Sequence, residues 1–210
     1  MNVKIKICGI TNVDDAHCAV DCGVDFLGFV LYRKSPRAIS PEGIRDIIAQ
    51  LPDEAEVRTV GVFVNETVQA VQETLDVTGL DIAQLHGYEA PDMALTLGVE
   101  RTWKAFGLDA PDDVHNVLAY PASAVVLDAF APGVWGGTGE TGNWDLAAQV
   151  AEQRAVVLAG GLQPGNVVAA VECVRPFAVD VGSGVECRPG RKDHAAVRAF
   201  VEAARSTNSG

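Results

Sequence analysis

Short apolar runs rich in β-branched residues alternate with longer segments of helical period along the whole chain. Runs of this length and composition predict buried β-strands, and the segments between them predict amphipathic helices. The predicted strands cover residues 3–8, 26–31, 59–63, 82–85, 102–106, 124–128, 156–159 and 178–181. The predicted helices cover residues 13–22, 41–51, 66–77, 90–97, 112–118, 144–152, 164–174 and 192–204. The fourth helix has the shortest apolar pattern.

Several predicted helices begin with residues that favour helix initiation. Ser40 and Gln163 each precede a proline, and proline is favoured at the first helical position. Asn65 and Asn143 could cap the helices that follow them, because an asparagine oxygen accepts a hydrogen bond from a free amide of the first turn. These signals support the predicted order of elements.

Strands and helices that alternate in this way predict βαβ units with parallel strands and right-handed crossovers. Eight such units admit a closed barrel or an open doubly wound sheet. The count of eight favours the barrel, as does the lack of a GxGxxG motif after any strand. No linker or low-complexity tract divides the 210 residues. We therefore expect an α/β protein, a single-domain (β/α)8 TIM barrel at residues 1–205, with a flexible C-terminal tail at 206–210.

Charge and cysteine usage narrow the range of partners. With 28 acidic and 16 Lys or Arg side chains, the formal charge is −12, so we expect no nucleic acid and no membrane as partners. No apolar run reaches the roughly 18 residues of a spanning helix, and the first residues lack a secretory h-region. The five cysteines include no CxxC pair and the four histidines no zinc spacing. This predicts a cytoplasmic protein with reduced thiols and no metal.

The alternation of side chains along the first strand gives Cys8 a defined position. Ile5 and Ile7 share one face of this strand, and that face must meet the outer helices. Lys6 and Cys8 then point into the barrel, with Cys8 at the C-terminal end, where the chemistry of such barrels occurs. Cys8 is either a reactive group or a small core residue, which is the commoner role of a free cysteine.

The sixth predicted strand is apolar until its last residue, Asp128. A carboxylate there can act as an acid at the catalytic end, or it can begin the loop with an Asx turn. The loop that follows, residues 129–143, contains Gly136-Gly-Thr-Gly139. Loops of that length are usually lids or binding loops, the alternative being a flexible surface insertion.

Glycine-bearing turns follow the last two predicted strands. Gly160 and Gly161 follow the seventh strand. Gly182, Ser183 and Gly184 follow the eighth. Glycine lets backbone N–H groups approach an oxyanion closely, and the serine adds a hydroxyl donor. Because the loops after strands seven and eight form the recurrent phosphate site of TIM barrels, these turns predict phosphate binding.

Arg37 lies in a turn after the second strand, and His86 ends the fourth. Arginine offers a planar fork for a carboxylate or an aromatic face, although a loop arginine is usually just solvated. His86 could bind substrate or make a structural hydrogen bond. Asp180 faces inward on the eighth strand, beside Lys6 in a closed barrel, and could pair with it. Surface or packing positions are predicted for His17, His115 and His194.

Together these residues resemble the phosphoribosylanthranilate isomerase family of tryptophan biosynthesis. The matching segments are Lys6-Ile-Cys-Gly-Ile-Thr11, Ser35-Pro-Arg37, Gly61-Val-Phe-Val64, Gln84-Leu-His-Gly87, Gly136-Gly-Thr-Gly139, Leu158-Ala-Gly-Gly-Leu162, Asp180-Val-Gly-Ser-Gly-Val-Glu186, Pro189-Gly190 and Lys192-Asp193. The resemblance extends from residue 3 to about 204. It implies a single-domain (β/α)8 barrel without a cofactor, which converts N-(5-phosphoribosyl)anthranilate to the 1-deoxyribulose 5-phosphate derivative.

By position, the resemblance implies that Cys8 is the general base of this reaction and Asp128 the general acid. It also implies that Arg37 meets the anthranilate moiety and that the two glycine turns hold the phosphate. The chain departs from the family pattern at Gly142-Asn143-Trp144, where an aromatic residue and an aspartate usually precede the tryptophan. It also has Gly182 where serine is frequent, which removes one hydroxyl donor to the phosphate.

Other functions remain open from the sequence. One is a related phosphosugar isomerase, either the histidine-pathway enzyme or a bifunctional isomerase, although that reaction normally uses two carboxylates and no cysteine. Another is a non-catalytic barrel that binds a phosphorylated ligand. A metal-dependent epimerase is disfavoured, because the strand ends lack a His/Asp ligand set. We expect a small phosphorylated molecule as partner, and the oligomeric state stays open between monomer and homodimer.

Overall fold

The computed structural model describes residues 3–52, 54–108, 110–128 and 143–207. Eight parallel strands form a closed barrel in chain order. They are β1 (Lys4–Cys8), β2 (Phe26–Val30), β3 (Arg58–Phe63), β4 (Ile82–Leu85), β5 (Thr102–Phe106), β6 (Ala124–Leu127), β7 (Val156–Leu158) and β8 (Ala178–Val181). The barrel closes between β1 and β8, where Lys6 lies opposite Asp180. The predicted (β/α)8 barrel is confirmed, and the open sheet is excluded.

An α-helix follows each strand and covers the outside of the barrel. The helices are α1 (Val13–Asp21), α2 (Pro41–Ile48), α3 (Val68–Thr78), α4 (Pro91–Leu97), α5 (Asp113–Ala119), α6 (Trp144–Ala151), α7 (Val167–Val174) and α8 (His194–Ser206). Two short 3₁₀ helices, η1 (Val99–Arg101) and η2 (Ser183–Val185), follow α4 and β8. Ile5 and Ile7 lie in the apolar core between strands and helices, which confirms the predicted faces of β1.

The N-terminal half of the barrel interior is filled with apolar side chains. Phe26 and Trp103 meet edge to face, with ring centroids 5.0 Å apart, and Val60 belongs to the same buried cluster. Packed layers of this kind make the barrel interior a core rather than a pore. Gln84 and Asp180 lie on the C-terminal side of this apolar cluster, where they line a cavity.

The predicted helix start at Pro41 and the predicted cap at Asn143 are confirmed. The Ser40 hydroxyl accepts a hydrogen bond from the Gly43 amide at 3.2 Å, and α2 begins at the proline that follows. The Asn143 side chain accepts a hydrogen bond from the Leu146 amide at 3.2 Å at the start of α6. Each satisfies an amide of the first turn that has no partner within its helix.

The predicted cap at Asn65 is wrong, because this side chain makes a different contact. Helix α3 begins at Val68, and the Thr67 hydroxyl accepts the capping hydrogen bond from the Ala70 amide at 3.1 Å. Asn65 has a φ of +53°, and its side-chain oxygen accepts a hydrogen bond from the Tyr88 amide at 2.7 Å. Asn65 therefore joins the loops after β3 and β4.

The seventh helix begins later than the prediction of residue 164. Asn166 accepts a hydrogen bond from the Gln163 amide at 2.8 Å in a turn, and α7 begins only at Val167. The Asn166 side chain also donates to the Gly161 carbonyl at 2.9 Å. This turn supports the glycine loop after β7, so the chain does not enter the helix at the proline.

A hairpin that was not predicted lies between η2 and α8. It consists of β9 (Glu186–Arg188) and β10 (Arg191–Lys192), with Gly190 at a φ of +77° in the turn. The prediction that the eighth helix starts at Lys192 is wrong, because this residue lies in β10 and α8 begins at His194. Such short, charged strands lack the alternation that identifies a strand in sequence.

Two predicted segments fall mainly outside the described residues. Residues 129–142 of the predicted loop 129–143, with its glycine run, and residues 208–210 of the predicted tail lie outside the described ranges. Helix α8 extends through Ser206, just past the predicted boundary at residue 205. Among the helices in the described ranges, none is both long enough and apolar enough to cross a membrane.

Candidate active site

One cavity at the C-terminal end of the barrel brings together most of the residues singled out from the sequence. It is bounded by strand ends and by the loops that follow them, as expected for a (β/α)8 barrel. Its lining includes Cys8, Arg37, His86, Asp128, Gly160, Gly161, Gly182 and Ser183. Residues from six βα units therefore face one space. Gly184 lies just outside this lining.

Cys8 ends β1 with its thiol on the inward face, as the alternation predicts. Burial raises the pKa of this thiol, and the charge of Lys6 opposes the effect. Asp180 raises the pKa further, and Lys192 lowers it. The net result is a pKa above the ordinary value of a cysteine. The thiol fits because β2 has Gly28 beside it, where a Cβ would lie only 2.8 Å from Sγ.

Lys6 and Asp180 form a buried ion pair beside this thiol, as their shared inward face predicts. The Lys6 Nζ donates to Asp180 Oδ2 at 2.8 Å. Burial lowers the pKa of Lys6, but the charge of Asp180, the charge of Cys8 and the hydrogen bond to Asp180 together outweigh burial, so the pKa is raised. Oδ1 of Asp180 has no hydrogen-bond partner among the described residues. This oxygen is available to a ligand in the cavity.

Asp128 faces the cavity from the end of β6, next to His86. The His86 Nε2 lies 3.5 Å from Asp128 Oδ2, and His86 Nδ1 lies 3.0 Å from the Gln84 side-chain nitrogen. An amide nitrogen can only donate, so Nδ1 accepts and the hydrogen of the neutral ring is assigned to Nε2, facing the carboxylate. Oδ1 of Asp128 is buried without a hydrogen-bond partner in the described ranges. The carboxyl group therefore has one oxygen free for a reacting atom.

Arg37 is held by Glu186, a residue to which no role is assigned from the sequence. Its Nε donates to Oε1 at 2.8 Å and its Nη2 to Oε2 at 2.7 Å. Burial raises the pKa of Glu186, but hydrogen bonds from Arg37 and the charge of Lys192 outweigh it, so the pKa is lowered. The bidentate contact fixes the guanidinium plane. It leaves Nη1 and the planar face for a ligand.

Lys192 is a second residue that the sequence does not identify. Its Nζ donates to the Cys8 carbonyl at 2.6 Å, to the Gly182 carbonyl at 2.9 Å and to Glu186 at 3.1 Å. Burial lowers the pKa of this ammonium, and the charge of Glu186 opposes that effect. The side chain joins the ends of β1 and β8 to the hairpin, and so fixes the wall of the cavity that carries the thiol.

The glycine turns after β7 and β8 present unpaired amides. Gly160 and Gly161 have φ angles of +81° and +63°, a region that glycine adopts without steric cost. Within the described part of the chain, no hydrogen bond is donated by the amides of Gly160, Gly161, Gly182 and Ser183. Clustered free N–H groups form a concave surface for an anion. Their placement supports the predicted phosphate site.

Gly184 has a packing role beside these turns. A Cβ on Gly184 would overlap the Leu162 carbonyl oxygen. The loop after β8 therefore packs directly on the loop after β7, and Gly184 sets the spacing between them. Its direct contact with phosphate stays a prediction.

Lys104 and Glu89 fix the loop that carries His86, and neither is predicted from the sequence. The Lys104 Nζ donates to the carbonyls of Gly87 and Ala105, each at 2.8 Å, and lies 3.4 Å from the Glu89 carboxylate. Glu89 accepts a hydrogen bond from the Gly87 amide at 2.8 Å. Burial lowers the pKa of Lys104, and Glu89 opposes that effect. The pair stabilises the turn after β4.

The remaining histidines lie away from the cavity, as predicted. His17 contacts the Gln50 carbonyl at 2.8 Å, and His194 contacts the Asp15 carboxylate at 2.9 Å. His115 lies on α5. Within the described ranges, no group of three or more His, Cys, Asp or Glu residues is placed to hold a metal ion.

The closed barrel, with its C-terminal cavity and free amides, places the protein among the (β/α)8-barrel enzymes that act on small phosphorylated molecules. Residues 5–203 match the family model described as N-(5′-phosphoribosyl)anthranilate isomerase. The chain belongs to the N-(5′-phosphoribosyl)anthranilate isomerase family, as the resemblance implies.

Individual relatives agree over nearly the whole chain. N-(5′-phosphoribosyl)anthranilate isomerase of Pelobacter propionicus is 47% identical over 208 residues, which are 99% of this chain and 98% of the relative. Phosphoribosyl anthranilate isomerase from Thermotoga maritima has a TM-score of 0.89 at 41% identity and covers 97% of this chain and 99% of its own. A phosphoribosyl anthranilate isomerase in complex with reduced 1-(o-carboxyphenylamino)-1-deoxyribulose 5-phosphate has a TM-score of 0.86 at 40% identity, with the same coverage.

Proposed function

We propose that this protein isomerises N-(5′-phosphoribosyl)anthranilate to 1-(2-carboxyphenylamino)-1-deoxy-D-ribulose 5-phosphate, a step of tryptophan biosynthesis. The observation that carries the proposal is that Cys8 and Asp128, at the ends of β1 and β6, line one cavity. An aldose–ketose rearrangement needs one group that donates a proton and another that removes one. Family membership indicates the substrate, and these two side chains supply the proton transfers.

Asp128 acts as the general acid and Cys8 as the general base. The Asp128 carboxylic acid donates its proton to the furanose ring oxygen; the bond from that oxygen to C1 breaks, and the sugar opens to an iminium. The Cys8 thiolate then removes the proton on C2; the electron pair of that bond forms the C1–C2 double bond of an enolamine, and the C1–N π pair returns to nitrogen. Gain of a proton at C1 and loss of one from the C2 hydroxyl give the ketone. Each positioned side chain contributes roughly 10²–10⁴-fold.

His86 supports the acid in this scheme. Its Nε2–H faces the Asp128 carboxylate, with Gln84 at the other ring nitrogen. This contact orients the carboxyl group and stabilises the carboxylate that remains after proton donation. Because His86 also lines the cavity, we place it against the sugar of the substrate.

Different groups of the cavity bind the two ends of the substrate. The phosphate accepts hydrogen bonds from the free amides of Gly160, Gly161, Gly182 and Ser183. Local donors are required, because the net charge of the chain, −12, repels anions. The anthranilate meets Arg37, whose Nη1 and planar face are not used by Glu186. The transfers involve protons only, so the scheme needs no cofactor.

A cytoplasmic location is part of the proposal. All five cysteines are free, and free thiols persist in the reducing cytoplasm. The thiol that serves as the base must stay reduced for this chemistry.

The experiment is a turnover assay with phosphoribosylanthranilate generated in situ, in which the loss of anthranilate-type fluorescence is followed. We expect turnover by the wild-type protein and little by the Cys8→Ser variant. Binding of the substrate without turnover would identify a non-catalytic barrel. Turnover of the histidine-pathway substrate alone would identify the related isomerase.

A further inference from the structure

Lys6 is a fully buried ammonium that does not belong to the acid–base pair. Its side chain is 0% exposed, and its Nζ donates to Asp180 at 2.8 Å. The Cys8 thiol is its second neighbour, and the charge of the ammonium lowers the pKa of that thiol against the effect of burial. The other two buried lysines differ, because Lys104 and Lys192 each donate to two or more backbone carbonyls. Lys6 alone of these three is directed at a carboxylate and a thiol.

The position of Gly28 shows how close the ammonium and the thiol are. A Cβ built on Gly28 would lie 2.8 Å from Cys8 Sγ and 3.0 Å from Lys6 Nζ. Cys8 Sγ and Lys6 Nζ are therefore both close to the same position. They lie within the roughly 4–6 Å over which one charge shifts the titration of another group. A side chain at position 28 would meet both atoms and force them to shift. Glycine at this position allows the contact.

Stability alone does not explain a charged pair at this depth. A buried ion pair must overcome the cost of removing both charges from water, and apolar residues of similar volume often stabilise a fold as well or better. Lys6 lies beside Phe26 on β2 and Asp180 on β8, where the barrel interior borders the apolar cluster that contains Phe26. The thiol next to the pair gives it a chemical use.

We propose that Lys6, held by Asp180, is a positioning residue that stabilises the thiolate of Cys8 when it acts as the base. The inference rests on the proposed function, because it assigns Lys6 to the activation of that base. Lys6 acts through the thiol alone. It makes no bond to substrate and transfers no proton.

Four charged groups face this thiol, and they act in different directions. Lys6 favours the thiolate from the same strand, and Asp180 on β8 disfavours it. Lys192 on β10 and Arg37 after β2 are cations, but both bind Glu186. Lys192 also donates hydrogen bonds to two carbonyls. Lys6 has one hydrogen-bond partner in the described ranges, Asp180, so its ammonium has N–H groups left for the thiolate.

The test is a difference titration of the thiol, read by the ultraviolet absorbance of the thiolate. Each protein is paired with the same protein carrying Cys8→Ser, so the subtraction isolates this thiol. The variants are Lys6→Met, Asp180→Asn and the double variant. The control is Lys4→Met, because Lys4 lies on the same strand but is positioned over the rings of Phe26 and Phe177.

The proposal predicts an order of titration midpoints. Lys6→Met raises the midpoint by about one pH unit or more, as expected for loss of an adjacent opposite charge. Asp180→Asn lowers it, because the ammonium then has the thiolate as its remaining anionic partner. The double variant lies between wild type and Lys6→Met, since the influence of Lys6 exceeds that of Asp180. It also leaves no lone buried charge, which preserves a folded protein for measurement.

Activity supplies a second readout. The ascending limb of the pH profile of kcat/KM follows the thiolate fraction, so it shifts in the same order as the titration midpoints. Equal midpoints in wild type, Lys6→Met and the double variant would overturn the proposal, whatever happens to kcat. Full turnover by Cys8→Ser, with the midpoints still ordered as predicted, would instead reject the proposed base and leave the electrostatic coupling intact.

Discussion

Substitution of Asp128 by asparagine separates a catalytic acid from a structural loop residue. Asparagine keeps the size of the side chain but cannot donate a proton to the ring oxygen, so kcat should fall by at least ~10², the low end for a general acid. That loss corresponds to about 2.7 kcal/mol of transition-state stabilisation. The stability change should be small, because the Asp128 carboxylate has one described contact, 3.5 Å from His86, and one oxygen without a partner.

The structure limits the expected change in melting temperature. A single contact of that kind contributes about 1 kcal/mol at most, which is roughly 2–4 °C for a chain of this size. The assay measures kcat and Tm on the same preparation of Asp128→Asn. Asp81→Ala is the control, because Asp81 binds the amide and hydroxyl of Thr59 at 2.7 and 2.8 Å; it should lower Tm and leave kcat per folded molecule unchanged. Full activity per folded molecule of Asp128→Asn would remove this residue from the mechanism and make Asp180 the next candidate.

Three further predictions concern other parts of the cavity. Cys8→Ser should lower kcat far more than it changes KM, since a serine hydroxyl fills similar space but is a poor source of base; near-wild-type steady-state turnover would contradict this. Inorganic phosphate should inhibit competitively, and Gly160→Val should raise both KM and the phosphate inhibition constant. Gly182→Ala is the milder control, because a Cβ at Gly182 meets nothing nearer than 3.7 Å. An unchanged inhibition constant in Gly160→Val would show that the phosphate binds elsewhere. Glu186 has a lowered pKa, so it stabilises the fold above its unfolded pKa of about 4.3 and loses that contribution as pH falls through its folded pKa. Glu186→Gln should therefore flatten part of the acid limb of unfolding free energy against pH and raise KM by freeing Arg37; an acid limb identical to wild type would count against the clamp.

The barrel and the inward face of its first strand could be predicted from the sequence, because both depend on local periodicity. Alternation alone determines that Lys6 and Cys8 share a face. The order of the units then places Asp180 beside Lys6, since the first and last strands of a closed barrel are neighbours. The ion pair at 2.8 Å confirms that inference.

The residues that escaped prediction make contacts that local patterns do not encode. Glu186 reaches Arg37 across 149 residues of sequence, and Lys192 reaches Cys8 across 184. A charged side chain in a short segment has the same appearance whether it is solvated or buried against a distant partner. Asn65 illustrates the same limit, because its helix-capping chemistry is used to bind the next loop.

Closure of the barrel between its first and last strands has a consequence for synthesis of the protein. Cys8 and Lys192 are joined in the folded chain, yet at about 5–20 residues per second they leave the ribosome roughly 10 to 40 s apart. A nascent chain therefore carries its thiol long before the lysine and the carboxylates of Asp180 and Glu186 arrive. During translation that cysteine lacks these partners, and activity begins only when the last strand and hairpin dock. In a circular permutant that starts at β8, Asp180, Glu186 and Lys192 would be synthesised shortly before Cys8, so the thiol would not wait for its partners.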